Sequence, residues 1–291
     1  MKPKELARIS PSHSSFSVEL HKMPFFLNVW HYHKEIELLH IRKSTGTKFI
    51  GDHIGNFYKN DIILLGSNLP HMIVNDKTYF EEKLNAEALV FHFDTESIGK
   101  VFFSIPEMKK IYLLLERAKV GLIIKGNKQE IISRMNRLYE QEGFDKLISF
   151  LELLHIIAVT ENSHPLSTTR FLDSFDKGSN SKLNQAYEFI FKNFNTEISL
   201  DLIADHVHMN ASAFSRFFKK ATNKSFIYYL NELRVGYACK KLLEDQELTV
   251  SQICYESGFN NLSNFNKQFK TITGKSPKEY VRCHLDFTQM I

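Results

Sequence analysis

The sequence has little cysteine, no long apolar run and no large excess of one charge. Its three cysteines, Cys239, Cys254 and Cys283, form no C-x-x-C and cannot all pair with one another. A disulfide-stapled scaffold is thereby excluded, and a reduced, cytoplasmic setting is the simplest reading. The longest apolar runs are short, as in Ile62-Ile63-Leu64-Leu65. A membrane-spanning helix needs about 20 such residues, so no membrane partner is expected. Met1-Lys2-Pro3-Lys4-Glu5 is not followed by the apolar stretch of an ordinary secretory signal. P-loop, G-x-G-x-x-G and nucleophile-elbow patterns are also missing, which removes the main sequence signals for nucleotide and acyl-transfer chemistry.

What remains is a globular composition long enough for two domains. The net charge is +4, and its distribution says more than its size. Residues 181–284 hold 14 basic and 10 acidic side chains, so the whole excess lies in the C-terminal third. A basic domain beside a neutral one points to a polyanion partner.

The apolar pattern changes along the chain. In residues 16–93 short apolar stretches (Ile36–Ile41, Lys48–Ile50, Asp61–Leu65, Ala88–Phe93) alternate with glycine, asparagine and proline, as in a sandwich or barrel. From Pro106 the period becomes helical: Met108–Ala118, Gln129–Glu142 and Asp145–Thr160. Leu147, Leu151, Leu154 and Ala158 mark one face of the third helix. Phe150, Leu153 and Ile157 widen it beyond what one flank needs, so that helix is expected to pack against a second subunit. Ser163–Ser181 is rich in Ser, Thr and Asp and reads as a linker, and everything beyond it reads as helical. The resulting expectation is an α+β multidomain chain. Residues 1–105 form a β-rich domain, 106–162 a helical dimerisation segment, 163–181 a linker and 182–291 an all-α domain.

The all-α domain contains a repeat. Phe214-Ser-Arg-Phe-Phe218-Lys219-Lys-Ala-Thr222-Asn-Lys224-Ser225 recurs as Phe265-Asn-Lys-Gln-Phe269-Lys270-Thr-Ile-Thr273-Gly-Lys275-Ser276, at an offset of 51 residues. Each copy reads as a short helix, a tight turn and a second helix. In the first, Leu202, Ile203 and Val207 are expected to face inward, and Asn210 to cap the helix Ala211–Thr222. In the second, Thr249 and Gln252 spell a capping box, Gly258 the left-handed turn, and Asn260 or Asn261 the cap of Leu262–Thr273. Ala204 and Cys254 are small enough to let the paired helices cross closely. This is helix-turn-helix geometry, whose second helix enters the major groove. Ser276, Pro277 and Glu279 read as the cap of the last helix, a structural role.

Residues 182–284 resemble the DNA-binding domain of AraC-type transcriptional regulators. The resemblance runs through Leu200-Asp-Leu-Ile-Ala204, Ser215-Arg216-Phe-Phe218-Lys219-Lys220, Ala238-Cys-Lys-Lys-Leu-Leu243, Gly258-Phe259 and Phe269-Lys-Thr-Ile-Thr-Gly274-Lys-Ser-Pro277-Lys-Glu-Tyr280. It implies two helix-turn-helix units joined by one long helix, here near Phe226–Glu244. One departure is His208, where the family usually has glycine, and the turn there is expected to be distorted. The exposed faces agree with DNA contact. Arg216 suits a guanine edge and Asn264 an adenine, with Ser212, Ser215, Ser263 and Lys267 beside them. Lys219, Lys220 and Lys270, with Lys224 and Lys275, lie toward helix ends where phosphates pass.

The β-rich domain carries His31-Tyr-His33-Lys-Glu-Ile-Glu37 and, about 40 residues later, Pro70-His71. The period of two along a strand brings His31, His33 and Glu37 to one face, with His71 from another strand. The pattern resembles the two motifs of the cupin β-barrel, whose metal-binding members hold a divalent ion with three His and one Glu. Three readings compete: a metal site (Zn, Mn, Fe or Ni), a metal-free pocket that hydrogen-bonds a ligand, and satisfied structural histidines. The expectation is a ligand pocket with no cofactor, the divalent metal being the less favoured reading. His13, His21, His40, His53, His92 and His155 receive no functional role. Asp94, Glu96 and the Glu81-Glu82 pair show no partner.

The resemblances imply a transcriptional regulator rather than an enzyme. A cupin-like N-terminal barrel with a helical extension senses a small-molecule effector, and a C-terminal domain with two helix-turn-helix units binds double-stranded DNA. A homodimer and contact with RNA polymerase follow from the same reading. The rival readings are a metal-dependent cupin enzyme with a helical appendage, and a ligand-independent DNA-binding regulator.

Overall fold

Runs of β-branched and aromatic residues between turn residues form most of the strands of the N-terminal half. The computed structural model describes residues 4–5, 15–27, 29–76, 79, 84–99, 101–160, 162–174, 181–244 and 247–288. His13 and the Glu81-Glu82 pair lie outside the described residues. The strands are β1 (Lys4–Glu5), β2 (Phe16–Met23), β3 (His31–Tyr32), β4 (Ile36–Lys43), β5 (Gly46–Ile50), β6 (His53–Phe57), β7 (Ile62–Leu65), β8 (His71–Asn75) and β9 (Ala86–Phe93), followed by β10 (Leu122–Ile124) and β11 (Ser163–Pro165). They build a sheet of order β1-β3-β8-β5-β6 and another of order β11-β10-β7-β4-β9-β2. β1 and β3 are parallel. In the second sheet β4 pairs with both β7 and β9 in antiparallel register.

Side-chain parity decides which face of the second sheet is covered. Ile36 and Leu38 of β4, Ile62 and Leu64 of β7, and Leu89, Phe91 and Phe93 of β9 share one apolar core with the helices that follow. Those helices are α1 (Thr95–Ile98), α2 (Lys109–Ala118), α3 (Gln129–Glu140) and α4 (Gly143–Val159). Glu37 and His92 have the opposite parity and point to the other face.

Two expectations about residues 106–181 are corrected. The segment Leu122–Ile124 is not helical but pairs with β7, three residues being too few to show a period. Ser163–Pro165 is no linker but pairs with β10, and α5 (Thr169–Ser174) follows. Polar composition misleads here because hydrogen bonds fasten the segment. The buried Asp52 carboxylate accepts from Ser167 Oγ (2.7 Å), Thr168 N (2.9 Å) and Thr168 Oγ1 (2.8 Å). Arg117 donates to the Ser163 carbonyl at 2.9 Å.

The inward face of α4 is also narrower than its sequence suggests. Phe150, Leu153, Leu154 and Ile157 are fully buried in the chain's own core, and Leu147, Leu151 and Ala158 pack at its edge. Leu154 is therefore core and lines no subunit surface. The exposed apolar residues of α4 are Phe144, Ile148 and Val159.

The chain divides into two compact units, with a boundary at Asp173/Ser174 and with Ile54–Asn56 assigned to the C-terminal one. Its helices are α6 (Ser181–Asn193), α7 (Leu200–His206), α8 (Ala211–Thr222), α9 (Phe226–Glu244), α10 (Val250–Glu256), α11 (Leu262–Thr273) and α12 (Pro277–Thr288). No described helix is long and apolar enough to cross a membrane.

Candidate DNA-binding face and buried histidine cluster

The repeat in the sequence is also a repeat of hydrogen bonds. Asn210 caps α8 by accepting from Ala213 N at 2.8 Å, and Asn261 caps α11 by accepting from Asn264 N at 3.0 Å. At the other end Thr222 Oγ1 donates to Phe218 O and Thr273 Oγ1 to Phe269 O, both at 2.8 Å. The helices stop at Asn223 (φ 58°) and Gly274 (φ 76°), the left-handed conformation that ends many helices. Phe214–Phe218 and Phe265–Phe269 each pack as a tilted ring pair with centroids 5.5 Å apart. The first helices repeat as well: Ala204 and Cys254 are fully buried, as the close crossing requires. Thr249 and Gln252 complete the capping box. Ser276 and Glu279 likewise exchange bonds at the start of α12. Leu202 departs from expectation. It is exposed, because Ile203, Ala204 and Val207 form the inward stripe.

The turn at His208 is not distorted. Its φ of 54° matches the left-handed Gly258 (φ 85°). Met209 N donates to Ala204 O at 2.9 Å, as Phe259 N does to Cys254 O at 3.1 Å. The left-handed penalty for an L-residue is about 1–2 kcal/mol, small enough for the helix pair to absorb.

With the phenylalanines turned inward, the opposite sides of α8 and α11 are polar. Ser212, Arg216, Lys219 and Lys220 are exposed and Ser215 is half-buried on α8. Ser263, Asn264, Lys267 and Lys270 are exposed on α11. Lys224 is otherwise engaged, donating to Glu232 at 2.7 Å. Arg234 of α9 donates to Phe194 O and Thr196 O, both at 2.7 Å, and covers the Phe259 ring at 5.6 Å. It joins the loop after α6 to the second turn.

The first unit contains a different cluster. His31, His33, Glu37, His71 and His92 are all buried. His31 pairs with His71 across β3 and β8 of one sheet, and Glu37 with His92 across β4 and β9 of the other. His33 lies on the crossing between β3 and β4. The convergence is real, but its cause is not the period of a single strand. β3 ends at Tyr32 and β4 belongs to the other sheet, so the two sheets bring the groups together.

The distances are short. Glu37 Oε2 lies 3.0 Å from His33 Nε2, 2.9 Å from His92 Nε2 and 3.8 Å from His71 Nε2. Burial opposes ionisation of Glu37, but the bonds from His33 and His92 hold its carboxyl well below the usual range. Burial, and then the neighbouring His31, push the His71 imidazole down to about 3. Two sets of ligand atoms lie within 4.8 Å of one another, His31/His33/His71 and His33/Glu37/His92. His92 was overlooked in the sequence. The available signal was parity: it interrupts an apolar strand on the face opposite Phe91 and Phe93. Asp94 and Glu96, read as unpartnered, both meet Lys34 at 2.8 Å.

Comparison with known proteins bears on the helical unit. Residues 203–282 match the helix-turn-helix domain family. The Msm operon regulatory protein of Streptococcus mutans is 26% identical over 136 residues, 47% of this chain and 48% of that protein. A helix-turn-helix-type transcriptional regulator of Staphylococcus aureus is 28% identical over 148 residues, 51% of this chain and 18% of that protein. The matches thus span about half of the first relative and less than a fifth of the second. Among solved structures, a Listeria innocua protein is 30% identical, with 35% of this chain and 95% of that chain covered and a TM-score of 0.34. Residues 203–282 of this chain are accordingly a helix-turn-helix domain.

Proposed function

We propose that the chain is a ligand-responsive transcriptional regulator whose two helix-turn-helix units read adjacent segments of the major groove. The observation that carries this reading is the pair of matching polar faces on α8 and α11, each backed by a phenylalanine core. Arg216 and Asn264 read bases, with Ser212, Ser215, Ser263 and Lys267 beside them. Lys219, Lys220 and Lys270 bind phosphates. The two-sheet domain acts as a cupin-like sensor barrel, and His31, His33, Glu37 and His71 line its pocket, joined by His92. The effector is a small molecule or ion. The protein works as a cytoplasmic homodimer through the exposed flank of α4, beside RNA polymerase, and not as an enzyme.

Selection from a random duplex pool with the full-length protein tests the reading. The expected product carries two short motifs about one helical turn apart, bound at least about 10³-fold more tightly than a shuffled duplex. Recovery of no recurring motif would overturn it.

A further inference from the structure

We propose that Arg234 is a positioning residue for DNA reading, which locks the helix pairs α7–α8 and α10–α11 at a fixed spacing and angle. The proposal rests on the two-site reading above for its consequence on DNA. The joint itself rests on the geometry of the helical unit.

The two helix pairs pack on opposite halves of α9. In its first half Phe226 and Tyr229 meet the Phe218 ring edge-on, with centroids 6.1 and 5.6 Å away. In its second half Val235, Ala238, Cys239 and Leu242 share a core with Ile253, Cys254, Phe265 and Phe269. Arg234 stands at the changeover between these cores. α9 has 19 residues and is therefore about 28 Å long. A bend of about 10° at its middle carries the far pair about 2 Å out of place, more than a base-edge hydrogen bond tolerates. One helix alone is thus a poor gauge of register.

A second connection is built around Arg234. Its Nε donates to Phe194 O and its Nη2 to Thr196 O, both at 2.7 Å. The guanidinium so grips the loop that leads into α7 with two charge-assisted bonds. The same group lies over the Phe259 ring, in the turn of the second pair, at 5.6 Å. Phe259 is itself buried in the second core. Tyr237, next along the same side of α9, packs edge-on against Phe194 at 5.5 Å. The loop and the second turn also meet directly, since a Cβ on Gly258 would lie 2.5 Å from Phe194 O. The corresponding residue of the first turn, His208, is exposed. The joint therefore belongs to the second turn. Arginine suits it because one planar fork reaches two carbonyls and covers a ring, which a lysine ammonium does not.

Two measurements on the full-length protein test the joint. The first needs no DNA. Spin labels are placed at Lys220→Cys and Lys270→Cys, exposed positions on α8 and α11, in a Cys283→Ser background. Cys239 and Cys254 are buried, and dilution with unlabelled protein restricts the reading to distances within one chain. The expected distance distribution is narrow in the parent, at least about twice as wide in Arg234→Met, and between the two in Arg234→Lys. The second measurement compares the selected duplex, the same duplex with one motif scrambled, and one with a base pair inserted between the motifs, which turns the far motif by about 35°. Arg234→Met should bind the selected duplex at least about tenfold more weakly, change affinity for the one-motif duplex less than about twofold, and lose most of the discrimination against the insertion. A residue needed only for folding would lower all three affinities together. Melting curves identify the variants that remain folded. If Arg234→Met does not, Arg234→Lys, which keeps the stem and the charge, carries the comparison. An unchanged distance distribution, or affinities that are parent-like or uniformly reduced in a folded variant, overturns the proposal. Selection that returns a single motif, with a distribution that still widens in Arg234→Met, defeats the two-site reading and leaves the joint standing.

Discussion

Gly258 and His208 occupy the same turn in the two helix pairs, and the difference between them is steric. A Cβ on Gly258 meets Phe194 O at 2.5 Å and the Asn195 Cα at 2.8 Å, on a backbone that is already left-handed. Gly258→Ala therefore adds a backbone clash to left-handed strain of about 1–2 kcal/mol, and should lower stability by at least that amount in urea unfolding. His208 is exposed, so glycine there relieves strain only. Against the entropy that glycine loses on folding, His208→Gly should gain less than about 1 kcal/mol. Lys48 carries a different cost. Burial, with Lys125 and Lys128 nearby, pushes its ammonium down to about 8 despite Asp61. The folded chain holds that charge unfavourably at neutral pH, and the penalty fades as pH rises from about 8 toward 10.5. Lys48→Met should thus stabilise the protein at pH 7 by up to about 3 kcal/mol, with a gain that shrinks above pH 8 in thermal melts. A gain independent of pH would show that the charge is not the cause.

At the scale of elements, α8 and α11 present the same design with different exposed side chains. Arg216→Ala and Asn264→Ala should each cost about 1–3 kcal/mol of preference for the selected duplex and little on random DNA, read by anisotropy titration. Lys219→Ala should weaken binding to both alike and reduce the salt slope by about 0.9. For α4, buried Leu154 is a stability residue, and Leu154→Ala should cost about 2–5 kcal/mol. Phe144→Asp with Ile148→Asp, on the exposed flank, should yield a folded monomer in sedimentation. The capping residues of these helices were readable in the sequence because caps and glycine turns act within a few residues. β10 and β11 were not, since three-residue strands gain their identity from partners far off in the chain: Ile123 pairs with Ile63, 60 residues before it, and with His164, 41 residues after it.

For the whole molecule, the two compact units imply two unfolding transitions, the first held by the apolar core of the second sheet with α2–α4 and the other including the core around α9–α11. Calorimetry should resolve two transitions. The excess positive charge belongs to the second unit, so salt should act on DNA affinity and not on the first transition.

The sequence alone determined the helical third. Its signals are local: a 51-residue repeat, caps within three residues, and phenylalanines spaced by four. It also named four of the five members of the buried histidine cluster, because His31, His33 and Glu37 are close in the chain and His71 follows a recognisable turn. Tertiary structure decided how they meet. His31 and His71 pair on one sheet and Glu37 and His92 on the other, and only the facing of the two sheets makes them one cluster. Parity sets His92 apart from Phe91 and Phe93, but nothing within its strand shows that its face meets Glu37 rather than apolar core. The register of β9 against β4, a contact 55 residues long in sequence, supplies that distinction.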